Sequence, residues 1–216
     1  MDREPPDQAD WRSQRRAGIV AIAGAMLVAA ALWFGIRFWA SPIPGMEDIG
    51  ARMVFALKCA AVAVLFTLVT GVEAVAHERL QSPAFDPLTG YETRRLRVNQ
   101  RYLQNTLEQT VVFLVGLFGL AAYMDDGGRM RAVLATAVVW TLARLAFWIG
   151  YHRGAAMRGL GAPGMMVSLL VLIYVAMQVG FDVAGPVGEW AMLGAFLLFE
   201  ALLFWKTKPA PGERPM

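Results

Sequence analysis

Apolar residues run along this chain in long blocks, and polar residues gather between them. Residues 17–36 carry no charge over twenty positions. That is enough to cross a hydrocarbon core of about 30 Å as a helix. A cleaved signal peptide is the alternative, but its apolar region normally runs about 7–15 residues. The string SPIPG at 41–45 ends the block. A second block covers about 52–77; its middle, 59–72, is wholly apolar, while Lys58 and Glu73 lie within its limits. Residues 78–91 hold SPAFDPLTG, whose two prolines and glycine mark a true loop. A third block runs over about 96–124 and stops at the Asp-Asp-Gly-Gly turn of 125–128. A fourth covers about 130–152 with Arg144 inside it, and a fifth about 162–181. Gly185 and Pro186 mark the next turn. The sixth block, 190–205, has Glu200 inside and a Trp at each end, where interfacial anchors stand. The pattern predicts six membrane-spanning helices and two flexible tails, 1–16 and 207–216.

The polar run that breaks this pattern is RRLRVNQRYLQNTLEQ at 94–109. It passes into TVVFLVGLFGLAAYM without a turn signal, so both belong to one helix. On that helix Arg97, Arg101, Asn105 and Glu108 fall at i, i+4, i+8 and i+11, on one stripe. Snorkelling accounts for arginines at a helix end. It does not account for Asn105 and Glu108, which lie at or below the membrane surface and need a partner or a ligand. Arg144, Tyr151 and Arg158 repeat at seven, two turns apart on a continuous helix. A guanidinium in mid-membrane needs a carboxylate or a polar cavity, and Glu108 and Glu73 are the acids available. A purely structural ion pair is the plainer reading of Arg144.

Composition agrees with the pattern. The chain is 57% apolar and 17% charged, against about 45–50% and about 25% in soluble domains. Its one cysteine, Cys59, excludes an intrachain disulfide and reads as a small buried hydrophobe. Glu73 and His77 stand at i, i+4, a metal-compatible spacing, but no third ligand is near; no metal and no nucleic-acid partner are expected. The net charge of +3 matters less than its distribution. With six spans, fourteen of the twenty Lys and Arg fall on the side of the two tails and four on the other, with Lys58 and Arg144 in the membrane. The positive-inside rule then predicts both termini in the cytoplasm.

RxxxNxxE opening a hydrophobic helix resembles the second helix of the MAPEG family, the membrane-associated proteins in eicosanoid and glutathione metabolism, and NTLEQ at 105–109 is similar to the version in that family's bacterial members, which implies a bacterial inner membrane as the host. ARLAFWIGYHRGAAMR at 143–158 is similar to the end of that family's third helix and the start of its fourth. The resemblance covers about residues 50–182. It implies an all-α integral membrane protein with a four-helix core, flanked here by extra transmembrane helices at about 17–40 and 187–206. It implies a homotrimer with glutathione as co-substrate between subunits, acting on a lipophilic small molecule within membrane lipid. It implies that Arg101, Gln104, Asn105, Glu108, Tyr151 and Arg144 bind glutathione, with Arg79 as a weaker match, and that Arg158 stabilises the thiolate. Two family tyrosines are replaced, by Phe147 and Gln109. Without them, a non-catalytic protein that binds a lipid or a partner is the alternative; a transporter is a third reading, given the intramembrane charges, but no paired broken helices support it.

Overall fold

The structure, a computed structural model, describes residues 8–154 and 156–207. All regular structure among them is helical: α1 Gln8–Trp39, α2 Ile49–Val64, α3 Thr70–Leu80, α4 Arg94–Tyr123, α5 Arg131–Arg153 and α6 Ala162–Lys206. The expected tails lie partly outside the described residues, at 1–7 and 208–216, whereas 8–16 are the first turns of α1, so the helix extends well ahead of its apolar run. Five stretches are long and apolar enough to cross a membrane: Ser13–Trp39, Ile49–Leu80, Arg94–Tyr123, Arg131–Arg153 and Met157–Lys206. This is the build of a multi-pass membrane protein.

The chain divides into two compact units, Met1–Leu172 and Ile173–Met216. In the first, α2, α4 and α5 pack on one another. Ala56, Ala60 and Ala63 are buried on one face of α2, and small residues at such spacing let helix backbones approach closely. Phe113 of α4 stacks on Trp140 of α5 with ring centroids 4.1 Å apart. Asp48 caps α2 by accepting from the Ala51 N–H at 2.9 Å, and Thr93 caps α4 by accepting from the Leu96 N–H at 2.9 Å. Between α2 and α3 one π turn, Leu65–Val69, continues the rod. The loop after α3 holds two single 3-10 turns, Pro83–Phe85 and Pro87–Thr89, each opened by proline behind a capping Ser82 or Asp86.

α1 is not an isolated anchor. Trp33 Nε1 donates to Thr136 Oγ1 of α5 at 3.2 Å, Arg37 donates to the Gly128 carbonyl at 3.2 Å, and Arg131 donates to the Ala40 carbonyl at 2.7 Å. Arg52 is buried and donates to the Met124 carbonyl at 2.9 Å, placing a cation at the carbonyl end of α4.

The second unit is a reversal. The stretch Met157–Lys206 has 50 residues; as one straight helix it would reach about 75 Å, more than twice a bilayer core. Instead Ala184 (φ −142°, ψ 22°) and Gly185 (φ 60°, ψ −149°) leave the helical region ahead of Pro186. Gly180 and Gly188 then meet backbone to backbone, each too close to the other's carbonyl for a Cβ. Eight residues along a straight helix would separate them by about 12 Å, so the chain has turned back on itself.

Candidate functional site: one helix with two polar faces

α4 carries the expected polar stripe, but its side chains divide between two faces. The inward face meets Arg144 of α5, which is 1% exposed. Arg144 Nη1 donates to Gln109 Oε1 at 3.0 Å; Nη2 donates to Asn105 Oδ1 at 3.0 Å and to Thr106 Oγ1 at 2.8 Å. Gln109 Nε2 donates to Asn105 Oδ1 at 3.3 Å, closing the network. The guanidinium lies 4.4 Å from the Phe147 ring centroid and 5.7 Å from that of Tyr102. Neither Glu108 nor Glu73 reaches Arg144, contrary to the expected acidic partner. Three neutral oxygens one turn apart on α4 hold it instead, with two aromatic faces completing the box.

This box is braced from below. Tyr102 is fully buried, and its hydroxyl donates to the Thr67 carbonyl in the π turn at 3.1 Å. π turns displace the backbone ladder and often stand beside functional sites. Asn99, also buried, accepts at Oδ1 from Trp148 Nε1 at 2.9 Å and lies 2.9 Å from His152 Nε2. Its amide donates to the Ala74 carbonyl at 3.3 Å, tying α3, α4 and α5 together. Thr106, Asn99 and Tyr102 were not singled out by sequence. Their signal was there: Asn99, Tyr102 and Thr106 fall at i, i+3 and i+7, the face next to the stripe.

The outward face carries Arg97, Arg101, Gln104 and Glu108, all exposed. Gln104 Nε2 donates to Glu108 Oε1 at 3.3 Å, and Arg101 has no hydrogen-bond or ion-pair partner among the described residues. Asn105 sits between the faces, half-buried. Arg144, Tyr151 and Arg158 do not share a continuous helix, because α5 ends at Arg153. Arg158 belongs to a separate 3-10 turn, Met157–Gly161, where it is exposed. Tyr151 is half-buried against Phe147, ring centroids 5.5 Å apart, so Phe147 links it to the Arg144 box. Arg79 is half-buried at the end of α3, and its Nε has no partner among the described residues. Glu73 and His77 pair at 3.3 Å on an exposed face; the described residues contain no group of three or more His, Cys, Asp or Glu able to hold a metal.

Residues 53–179, spanning α2 to α6, match the model of the MAPEG family. The chain belongs to that family. Among curated relatives it is 22% identical over 162 residues to transmembrane protein 79 of Mus musculus, covering 75% of this chain and 41% of that one. It is 20% identical over 156 residues to the Bos taurus protein of the same name, covering 72% and 39%. The chain thus spans about two fifths of the length of these two relatives. An uncharacterized protein of Synechocystis is 36% identical over 74 residues, covering 34% of this chain and 51% of its own. No solved structure matches. Within this MAPEG chain, Gln109 and Phe147 meet at Arg144: Gln109 binds its guanidinium and Phe147 covers it.

Proposed function

We propose that this protein is a glutathione-dependent transferase or peroxidase acting on hydrophobic electrophiles dissolved in the membrane. The observation that carries the reading is the outward face of α4. A guanidinium, an amide and a carboxylate are displayed at Arg101, Gln104 and Glu108 along a membrane-spanning helix, exposed rather than packed inside. Glutathione offers two carboxylates, an amine and a thiol. Arg101 matches a carboxylate in bidentate fashion, and Arg79 is a second candidate for that role. Glu108 takes the amine, with Asn105 and Tyr151 as further contacts to the peptide. Arg144 acts from behind, holding Asn105. Arg158 stands near the thiol, where a permanent cation favours thiolate and cannot accept its proton. In the transferase reaction the thiolate sulfur bonds to the electrophilic carbon and the leaving group, chloride for a chlorinated aromatic, departs with the bonding pair.

The same exposure argues for assembly. Arg101 and Glu108 facing lipid would be costly, so a second copy covers them, and the assembly is a homotrimer with glutathione between subunits. The architecture proposed is a four-helix core over 50–182 with one added crossing at each end, at 17–40 and 187–206. Both termini are cytoplasmic by the positive-inside count, in a bacterial inner membrane. Native mass spectrometry in detergent should show three copies, and labelling of cysteines placed at Ser82 and Asp126 should report opposite sides.

A second reading is a non-catalytic MAPEG protein that binds a lipid or a partner protein. It is favoured by Phe147 and Gln109, which replace two hydroxyls beside the site. Calorimetric glutathione binding, followed by turnover of a chlorinated aromatic and a lipid hydroperoxide, separates the readings. Binding with turnover supports the enzyme; binding without turnover supports the second reading; no binding removes glutathione altogether.

A further inference from the structure

The Met157–Gly161 turn is pressed between two helices. On one side is α5. A Cβ at Gly150 would collide with the Met157 carbonyl, and one at Gly161 would collide with the Phe147 side chain. On the other side is α1. A Cβ at Gly159 would stand 2.8 Å from Ile22 Cγ1 and 3.1 Å from the Gly18 carbonyl oxygen. From the α1 side, a Cβ at Gly18 would stand 3.8 Å from the Ala156 carbonyl oxygen, in ordinary contact. The turn therefore touches α1 at backbone distance, with no side chain of its own between them at Gly159. Arg158 is the neighbour of that contact and is itself exposed, with no hydrogen-bond or ion-pair partner among the described residues. Its guanidinium is located only by where the backbone of the turn is held.

We propose that α1, which lies outside the family-matched residues, is a positioning element for Arg158: it clamps the turn at Gly18, Ile22 and Gly159 and so sets where the guanidinium stands. α1 is then part of the site's construction rather than a membrane anchor added to it. The consequence for thiolate rests on the glutathione reading above; the clamp itself does not.

Two readouts keep these apart. The first needs no glutathione. A nitroxide at position 158, introduced as Arg158→Cys in a Cys59→Ala background, should give a restricted electron paramagnetic resonance line shape, that of an exposed side chain on a held backbone. Gly159→Ala should mobilise it, because the new methyl group meets Ile22 Cγ1. Adding Ile22→Ala removes that atom but leaves the Gly18 carbonyl oxygen 3.1 Å from the new methyl group, so it should restore the restricted spectrum in part. Gly18→Leu, which presses on the turn from the α1 side, should mobilise the label in the same way and serves if Gly159→Ala does not fold. The second readout is thiolate absorbance near 240 nm, roughly where thiolates and not thiols absorb, titrated against pH with Arg158 present. Gly159→Ala should raise the midpoint by about one unit, a roughly tenfold loss of thiolate at neutral pH, with glutathione affinity within about twofold of wild type. Ile22→Ala should reverse part of that shift. Spectra equally mobile in all backgrounds, or no recovery with Ile22→Ala, would overturn the clamp. A wild type with no thiolate signal but a clamp-dependent spectrum would instead sink the catalytic role of Arg158 and leave the clamp standing.

Discussion

The inward and outward faces of α4 both carry polar groups and use them in opposite ways. Inward, Asn105, Thr106 and Gln109 spend their oxygens on Arg144, and little hydrogen-bonding capacity is left over. Outward, Arg101 is unpaired among the described residues and Glu108 meets only Gln104. A largely paired buried network, in which Arg144 Nε is left without a partner among the described residues, contributes to a unique packing of helices, while an unpaired exposed set has capacity for a ligand. The lesson is that polarity inside a membrane span does not by itself mark a site. What separates the two faces is whether the groups are already paired.

The comparison is broken most strongly at Arg144. Arg144→Met keeps much of the volume but strands Gln109 Oε1 and Thr106 Oγ1, while Asn105 Oδ1 keeps its bond from Gln109 Nε2; each stranded oxygen costs roughly 1–3 kcal/mol when buried and unpaired. A loss on the order of 3 kcal/mol is expected in detergent unfolding, with helix packing disturbed. A stability within about 0.5 kcal/mol of wild type would mean that the network is incidental. Arg101→Ala should do the reverse. Stability should stay within about 0.5 kcal/mol, while glutathione affinity falls about tenfold, roughly 1.4 kcal/mol, with the saturated rate largely intact. Gln109→Leu removes one acceptor from Arg144 and one donor to Asn105. A loss of about 1 kcal/mol in stability is expected, with weaker glutathione binding only through the freed Asn105.

The least effect is expected away from both faces, in the turn between α4 and α5. There the Arg129 backbone N–H donates to Asp126 Oδ1 at 2.8 Å and holds the carboxyl below its ordinary value. Asp126 is fully exposed, so the effect is small. Its sign is fixed: the contribution is present above the usual Asp value of about 3.9 and is lost as pH falls through the lowered one. Asp126→Asn should flatten that acid-side slope and leave glutathione binding untouched; thermal unfolding between pH 3 and 7, on the order of the Asp titration range, checks it.

Much of this was legible in the sequence. Block lengths and the Gly-Pro and Asp-Gly signals located the helices, and the reversal at Ala184–Gly185 fell where Gly185-Pro186 indicated. The stripe on α4 was legible as spacing. What spacing left out was the partner of Arg144. Charge reasoning favoured Glu108 or Glu73, because an acid is the stronger single partner for a guanidinium. The structure instead pairs the two Nη atoms of the cation with three neutral oxygens and leaves Nε without a partner among the described residues, an arrangement that depends on Asn105, Thr106 and Gln109 facing α5 together. Thr106 was invisible for the same reason: a threonine in a span reads as filler until its hydroxyl has a neighbour. The apolar blocks end at about 152 and resume at about 162, but what fills the gap, Arg158 placed on a separate turn against α1, depends on a long-range contact that periodicity cannot report.

The central claim is that the outward face of α4 binds glutathione while the inward face holds the fold. Isothermal titration of glutathione into purified wild type, Arg101→Ala and Gln109→Leu, with unfolding of the same samples, tests it most directly. The account predicts that wild type binds, that Arg101→Ala loses about tenfold in affinity at unchanged stability, and that Gln109→Leu loses stability first. Wild type that fails to bind, or an Arg101→Ala variant that binds as tightly as wild type, would contradict it.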